Sequence, residues 1–177
     1  MFETPTYITL PVPSPVEEKV QEIRKRFDSR RAGLPVEITI SGSCGLGLIS
    51  PGQDESGVFA KVAEIARKLE PFETYFTKTE SFSLSEIFYF SPAYPEKFDF
   101  IHEQIAASGI RFEKTLYPYF TPHCTIKLIK KGNDREIHEL LALPPPSDRF
   151  KIDTISIYSY CLEKSESNLM FSTRFGK

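Results

Sequence analysis

The chain predicts an α+β fold of two similar lobes arising from an internal duplication, with antiparallel sheets facing a central cleft and helices outside. Three observations carry this expectation. Short runs alternate apolar and polar residues at period two, segments of helical spacing separate those runs, and the order strand, helix, strand, helix, strand occurs twice with one strand added. The 177 residues, 40% hydrophobic and 26% charged, suit a single bilobal domain over 1–177, lobe A spanning about 1–80 and lobe B about 81–177. The repeated unit is longer than the roughly 20–50 residues of a solenoid repeat, so two lobes are expected and no array.

Tyr7 to Val12 reads as the first strand and stops at Pro11-Val12-Pro13. Ser14-Pro15-Val16-Glu17 then has the form of a capping box with proline opening a helix. Val16, Val20, Ile23 and Phe27 recur at helical spacing and predict its buried face. Val36 to Ser41 alternates as a one-sided strand, and a Gly-rich loop follows from Gly42 to Gly57. Val58, Val62, Ile65 and Leu69 mark a second helix closed by Glu70-Pro71, and Phe72 to Lys78 is extended. Glu86 to Ser91 is a strand. Tyr94-Pro95 starts a helix with Phe98, Ile101 and Ile105 on one side and Gly109 as its C-terminal stop. Pro122 to Leu128 is the next strand, and Asn133-Asp134 caps a short helix with Ile137, Leu140 and Leu141 as its apolar face. Lys151 to Tyr160 and Leu169 to Phe175 form the last pair of strands, separated by a polar turn.

Composition narrows the functional classes. Cys44, Cys124 and Cys161 are an odd number at wide spacing, which spells neither a disulfide framework nor a zinc knuckle. No His or carboxylate cluster has metal-ligand spacing, so no metal and no cofactor are expected. The N-terminus lacks the basic and apolar regions of a signal peptide and no run of about 18 apolar residues occurs, so a cytoplasmic protein with no membrane partner is expected. The formal charge of −2 gives no bulk positive field for long duplex nucleic acid. A phosphate-bearing ligand must be gripped locally. A monomer is expected.

The candidate chemistry sits on two matched strands, about half the chain apart. Side chains alternate along a strand, so Glu37, Thr39 and Ser41 share one face while Ile38 and Ile40 go to the core. His123, Thr125 and Lys127 share a face in the same way, with Cys124 and Ile126 behind, which makes Cys124 a small core residue rather than a nucleophile. Related lobes would bring these two polar rows together across the cleft. Tyr117, Tyr119 and Phe120 precede His123 and could stack on a base, or simply pack their loop. Gly-Ser-Cys-Gly-Leu-Gly lacks the ending of a P-loop and reads as a turn. His102 and His138 lie on predicted helices beside Glu103 and Glu139 and are expected at the surface.

At these residues the chain resembles the 2H phosphoesterases, which include the RNA 2′,3′-cyclic phosphodiesterases often named 2′-5′ RNA ligases. Their mark is a His-x-Thr/Ser-x motif in each half of a duplicated fold. The second motif is matched by Phe120-Thr121-Pro122-His123-Cys124-Thr125-Ile126, and the first falls on Glu37-Ile38-Thr39-Ile40, where Glu37 stands in place of the family's His. The resemblance implies one His as general base and the other as general acid, with the Thr hydroxyls on phosphate oxygens. It therefore implies His123 and Glu37 as the catalytic pair and Thr39 and Thr125 at the phosphate; strand alternation adds Lys127 on the same face as Thr125, and Tyr117 and Tyr119 remain candidate base-stacking residues beside the packing reading of their loop. The implied ligand is a nucleotide or RNA end carrying a cyclic phosphate. The family often has an arginine five residues after the second His, where this chain has Leu128.

Glu37 sets the alternatives. An unperturbed carboxyl, with a pKa of about 4.3, is ionised at pH 7 and repels phosphate. Burial or a neighbouring anion could raise it until it serves as acid or base. The expected function is hydrolysis of a 2′,3′-cyclic phosphate or related nucleotide phosphodiester. A protein that binds a nucleotide or phosphorylated metabolite in the same cleft without turnover is the alternative, and an interaction module with an occluded cleft is the third reading.

Overall fold

The alternation read in the sequence becomes one-sided strands, because a sheet with one buried face needs apolar residues at every second position. The computed structural model describes residues 1–82, 87–128, 134–161 and 166–176. The expected strand start at Glu86, the cap at Asn133 and the middle of the last polar turn lie outside the described residues. In chain order the elements are β1 (Thr6–Pro11), α1 (Val16–Phe27), β2 (Glu37–Ser41), α2 (Glu55–Lys68), β3 (Phe72–Thr74), β4 (Phe76–Ser81), β5 (Ile87–Pro92), α3 (Pro95–Ala106), β6 (Cys124–Leu128), α4 (Asp134–Leu141), β7 (Phe150–Ile152), β8 (Thr154–Cys161) and β9 (Glu166–Arg174).

The fold is α+β, with every strand pair antiparallel. One sheet runs β2-β1-β8-β9, a second β4-β5-β6, and β3 with β7 forms a short ribbon. The first sheet draws strands from both ends of the chain, so the C-terminal hairpin completes the sheet that the N-terminal strands begin. Ile8, Leu10, Ile38, Ile40, Ile155 and Ile157 supply its buried face, Phe90, Cys124 and Ile126 that of the second sheet, and the apolar faces of α1, α2 and α3 close the same core. On the first sheet's other face Thr9 sits opposite Thr39 and Pro11 opposite Glu37, while Tyr7 stacks on Tyr158.

Several local expectations are corrected. The capping box is not formed: Pro15 takes the N-cap with no side-chain bond, because the Pro13 carbonyl already accepts the Glu17 N–H. The buried face of α1 is Val16, Val20 and Arg24, with Ile23 and Phe27 only partly covered. The second helix starts earlier than its apolar spacing indicates, since the Asp54 carboxylate caps the Gly57 N–H at 2.7 Å. The extended runs 72–78 and 151–160 each break, at Tyr75 and Asp153, where the chain leaves the β3-β7 ribbon for a larger sheet. Of the apolar face expected on α4, Leu140 is buried and Leu141 is 44% exposed. Among the described residues no helix is long and apolar enough to cross a membrane.

Candidate active site

His123 immediately precedes β6. Its ring is buried and set edge-on against Phe82 and Tyr89, with centroids 5.0 and 5.3 Å away. Nδ1 lies 2.7 Å from the Thr121 carbonyl. A carbonyl only accepts, so Nδ1 carries the proton in the neutral ring and Nε2 keeps its lone pair. Burial is the main influence on its pKa and pushes it down; the Thr121 carbonyl opposes that shift and the Arg31 charge adds to it. Thr125 stands opposite Tyr89 in the sheet. Lys127 is held in a close ion pair by Glu136, so the extra cation expected in the cleft already has a carboxylate partner.

Glu37 opens β2 in the other sheet. Its Oε2 is buried, and the Thr9 and Tyr7 hydroxyls lie beside the carboxyl as hydrogen-bonding groups. Burial raises its carboxyl to about 7, against the pull of Arg24, Arg31 and the Thr9 and Tyr7 hydroxyls. Raised this far, the carboxyl holds its proton well above the pH at which a solvated glutamate has lost it. Arg24, fully buried on α1, ties the two sheets together. Nε and Nη2 donate to the Thr125 carbonyl at 3.1 and 2.8 Å, and Nη1 donates to the Leu34 and Pro35 carbonyls just before β2 at 3.1 and 3.0 Å.

A stability consequence follows for Glu37. Its folded pKa of about 7 exceeds the ordinary 4.5, so the folded state binds the extra proton between those values. That contribution is full below about 4.5 and is lost as pH rises through about 7, on the order of 3 kcal/mol in all. His123 runs the other way: its lowered pKa disfavours folding as pH falls below 6.5. In urea titrations from pH 5 to 8, Glu37→Gln is expected to remove the loss of stability on the alkaline side and to exceed wild type at pH 8. Parallel pH curves for the two proteins would contradict it.

Beside His123 lies a pocket of about 360 Å³, walled by Ser43, Cys44, Phe82, Ile87, Tyr117, Tyr119 and Thr121. The Gly-rich segment forms one wall and is latched to the Tyr-rich loop: Gly45 N–H donates to the Tyr117 carbonyl at 2.8 Å, and Thr115 Oγ1 donates to the Ser43 carbonyl at 2.9 Å. Gly45 has φ 70°, and a Cβ there would collide with His102 and Phe120, so glycine is needed to bring the two loops together. His102 is accordingly not a free surface residue. It stacks on Phe120 with centroids 4.1 Å apart, and its Nε2 is buried. Tyr119 is 85% and Tyr117 41% exposed, which leaves the ring of Tyr119 open to solvent.

The structure therefore brings His123, Tyr117 and Tyr119 to one pocket, while Glu37, Thr39, Thr125 and Lys127 are not among its lining residues. Glu37 and His123 are related through Arg31, whose charge acts on both. Sequence reasoning missed Arg24, Arg31, Tyr7 and Thr9. Arg24 had a signal, since it continues the four-residue spacing of Val16 and Val20 on the buried face of α1. Tyr7 and Thr9 follow once β1 is paired with β2. Arg31, in the loop after α1, had none. Among the described residues no three His, Cys, Asp or Glu side chains gather as a metal would require.

Comparison with known proteins gives a consistent picture. The sequence model of the 2′-5′ RNA ligase superfamily matches residues 11–162. A Bacillus cytotoxicus protein provisionally named a phosphoesterase is 25% identical over 165 residues, 92% of this chain and 91% of that one. Among solved structures, TT0787 of Thermus thermophilus superposes with a TM-score of 0.71 at 15% identity, covering 97% of this chain and 98% of that one. LigT of E. coli, crystallised with 3′-AMP, superposes with a TM-score of 0.66 at 12% identity, covering 99% and 100%.

Proposed function

Since the chain belongs to the 2′-5′ RNA ligase superfamily, we propose that it hydrolyses a 2′,3′-cyclic phosphate or related nucleotide phosphodiester, with His123 and Glu37 as its base and acid. The observation that carries this reading is the state of His123: Nδ1 is committed to the Thr121 carbonyl, so neutral imidazole offers Nε2 to a water molecule. Nε2 takes the water proton as the water oxygen bonds to phosphorus. The bond from phosphorus to one ribose oxygen breaks, and that oxygen receives the proton of neutral Glu37. Solvent then returns both groups to their starting states. A carboxyl near 7 can give a proton at neutral pH, whereas one at about 4.3 is almost always empty.

Thr39 and Thr125 hold phosphate oxygens in this reading, and Lys127 reaches the phosphate only by releasing Glu136. Tyr117 and Tyr119 offer faces on which a nucleobase stacks, in a pocket wide enough for one base. The crystallised complexes of LigT with 3′-AMP, phosphate and ATP support a small nucleotide ligand. The protein acts as a cytoplasmic monomer in this account.

Incubation with 2′,3′-cyclic AMP and with a short RNA ending in a cyclic phosphate is expected to yield the ring-opened monophosphate. A second reading, binding without turnover, is favoured by the position of Glu37 outside the lining of the His123 pocket. Thermal stabilisation by 3′-AMP with no product after prolonged incubation would select it and reject hydrolysis.

A further inference from the structure

We propose that His102 on α3 is a positioning residue for His123, acting through Phe120 to hold the Thr121 carbonyl where it fixes the His123 ring. The inference rests on the reading above that His123 is the base, and it assigns the aim of that base to a helix outside both motif strands. The segment between Tyr117 and β6 has little main-chain support. Pro118 and Pro122 lack an N–H, and among the described residues the main chain of 118–123 makes no hydrogen bond to another main chain outside the sheet ladders. Yet the Thr121 carbonyl in this segment is the acceptor for His123 Nδ1, at 2.7 Å. Side chains must therefore place it.

Two contacts do so. The Cys44 thiol donates to the same carbonyl at 3.7 Å, and a thiol is a weak donor. The Phe120 ring, one residue earlier in the chain, lies flat on His102, with 13° between the planes and centroids 4.1 Å apart. Gly45 closes on the tip of the imidazole: a Cβ there would lie 2.4 Å from His102 Nε2 and 2.8 Å from the Phe120 Cβ. His102 is thus wedged where α3, the Gly-rich segment and the Tyr-rich loop meet. Its Nε2 is buried without a hydrogen-bond partner, which calls for an explanation. The imidazole is kept there for its shape, a flat face for Phe120 on a ring short enough to fit against Gly45. Burial holds its pKa down against the pull of Asp99 and Glu103, so the ring stays neutral at pH 7 and needs no counter-charge.

The tautomer of His123 gives a readout independent of turnover. With the Thr121 carbonyl in place the neutral ring carries its proton on Nδ1. Once that carbonyl shifts, the proton is free to sit on Nε2, which then cannot take one from water. Nitrogen-15 NMR of neutral His123 is expected to show the Nδ1–H form alone in wild type and a mixture of both forms in His102→Ala. The same variant should lose about 10- to 10²-fold in kcat on 2′,3′-cyclic AMP with a much smaller change in KM, the effect of misplacing a reacting group by about 1 Å. Phe120→Leu should do likewise, and the double variant should lose no more than either alone, because both act through one contact. Should His102→Ala fold poorly, His102→Leu, which fills the space without a flat face, takes its place. An unmoved His123 tautomer, or losses that add in the double variant, overturns the assignment. A shifted tautomer in a protein that cleaves nothing would sink the hydrolytic reading and leave the positioning role standing. Wild-type cleavage with the tautomer unmoved in His102→Ala would do the reverse.

Discussion

Replacing His123 by alanine is expected to lower kcat/KM on a 2′,3′-cyclic nucleotide by about 10² to 10⁴, or roughly 3 to 5.5 kcal/mol of barrier. The loss should fall on kcat, because the base acts on water in the transition state rather than on bound substrate. His123 also packs against Phe82 and Tyr89, so the truncation leaves a cavity and some loss of stability. His123→Gln fills most of that space without a base of useful pKa, and it should be as inactive as the alanine variant while melting closer to wild type. Steady-state kinetics beside thermal melts separate the two effects. An active, stable His123→Gln protein would remove the base from the mechanism.

The second large effect concerns Arg24. Arg24→Met keeps the aliphatic stem but leaves the Thr125 and Pro35 carbonyls without their donors, while the Leu34 carbonyl keeps the Gln21 side chain at 2.8 Å. Each unsatisfied buried carbonyl costs about 1 to 3 kcal/mol. Removing the desolvated charge offsets part of that, so a net loss of about 2 to 4 kcal/mol is expected in urea denaturation. Arg24 also pulls the Glu37 carboxyl down, so its removal should raise that pKa further. A variant as stable as wild type would mean that the two sheets are held together without this crosslink.

Much of the fold was legible because its strands are buried on one side and its helices carry narrow apolar stripes. Ile8 and Leu10 in β1, Ile38 and Ile40 in β2, and Phe98, Ile101 and Ile105 in α3 are all buried where their spacing puts them. The breaks at Tyr75 and Asp153 were not legible, because a strand that changes sheets keeps its local pattern and reveals itself only through its partners. Arg24 was hidden by its charge, although its position matched the stripe. Its partners are main-chain carbonyls, which no side-chain pattern advertises. In the site, His123 and the tyrosines could be found from a local run of residues, whereas Arg31 depends on how the loop after α1 lies against β2. The protonation of Glu37 comes from burial, a property of the assembled sheets.

The most direct test of the account is the pH dependence of kcat/KM on 2′,3′-cyclic AMP for wild type and Glu37→Gln. A base titrating below 6.5 and an acid near 7 predict a narrow bell for wild type, falling on its acid side as His123 gains a proton and on its alkaline side as Glu37 loses one. Glu37→Gln should lose the alkaline limb together with most of the rate. An unchanged alkaline limb in Glu37→Gln, at wild-type rate, would contradict the central claim that this buried carboxyl is the proton donor.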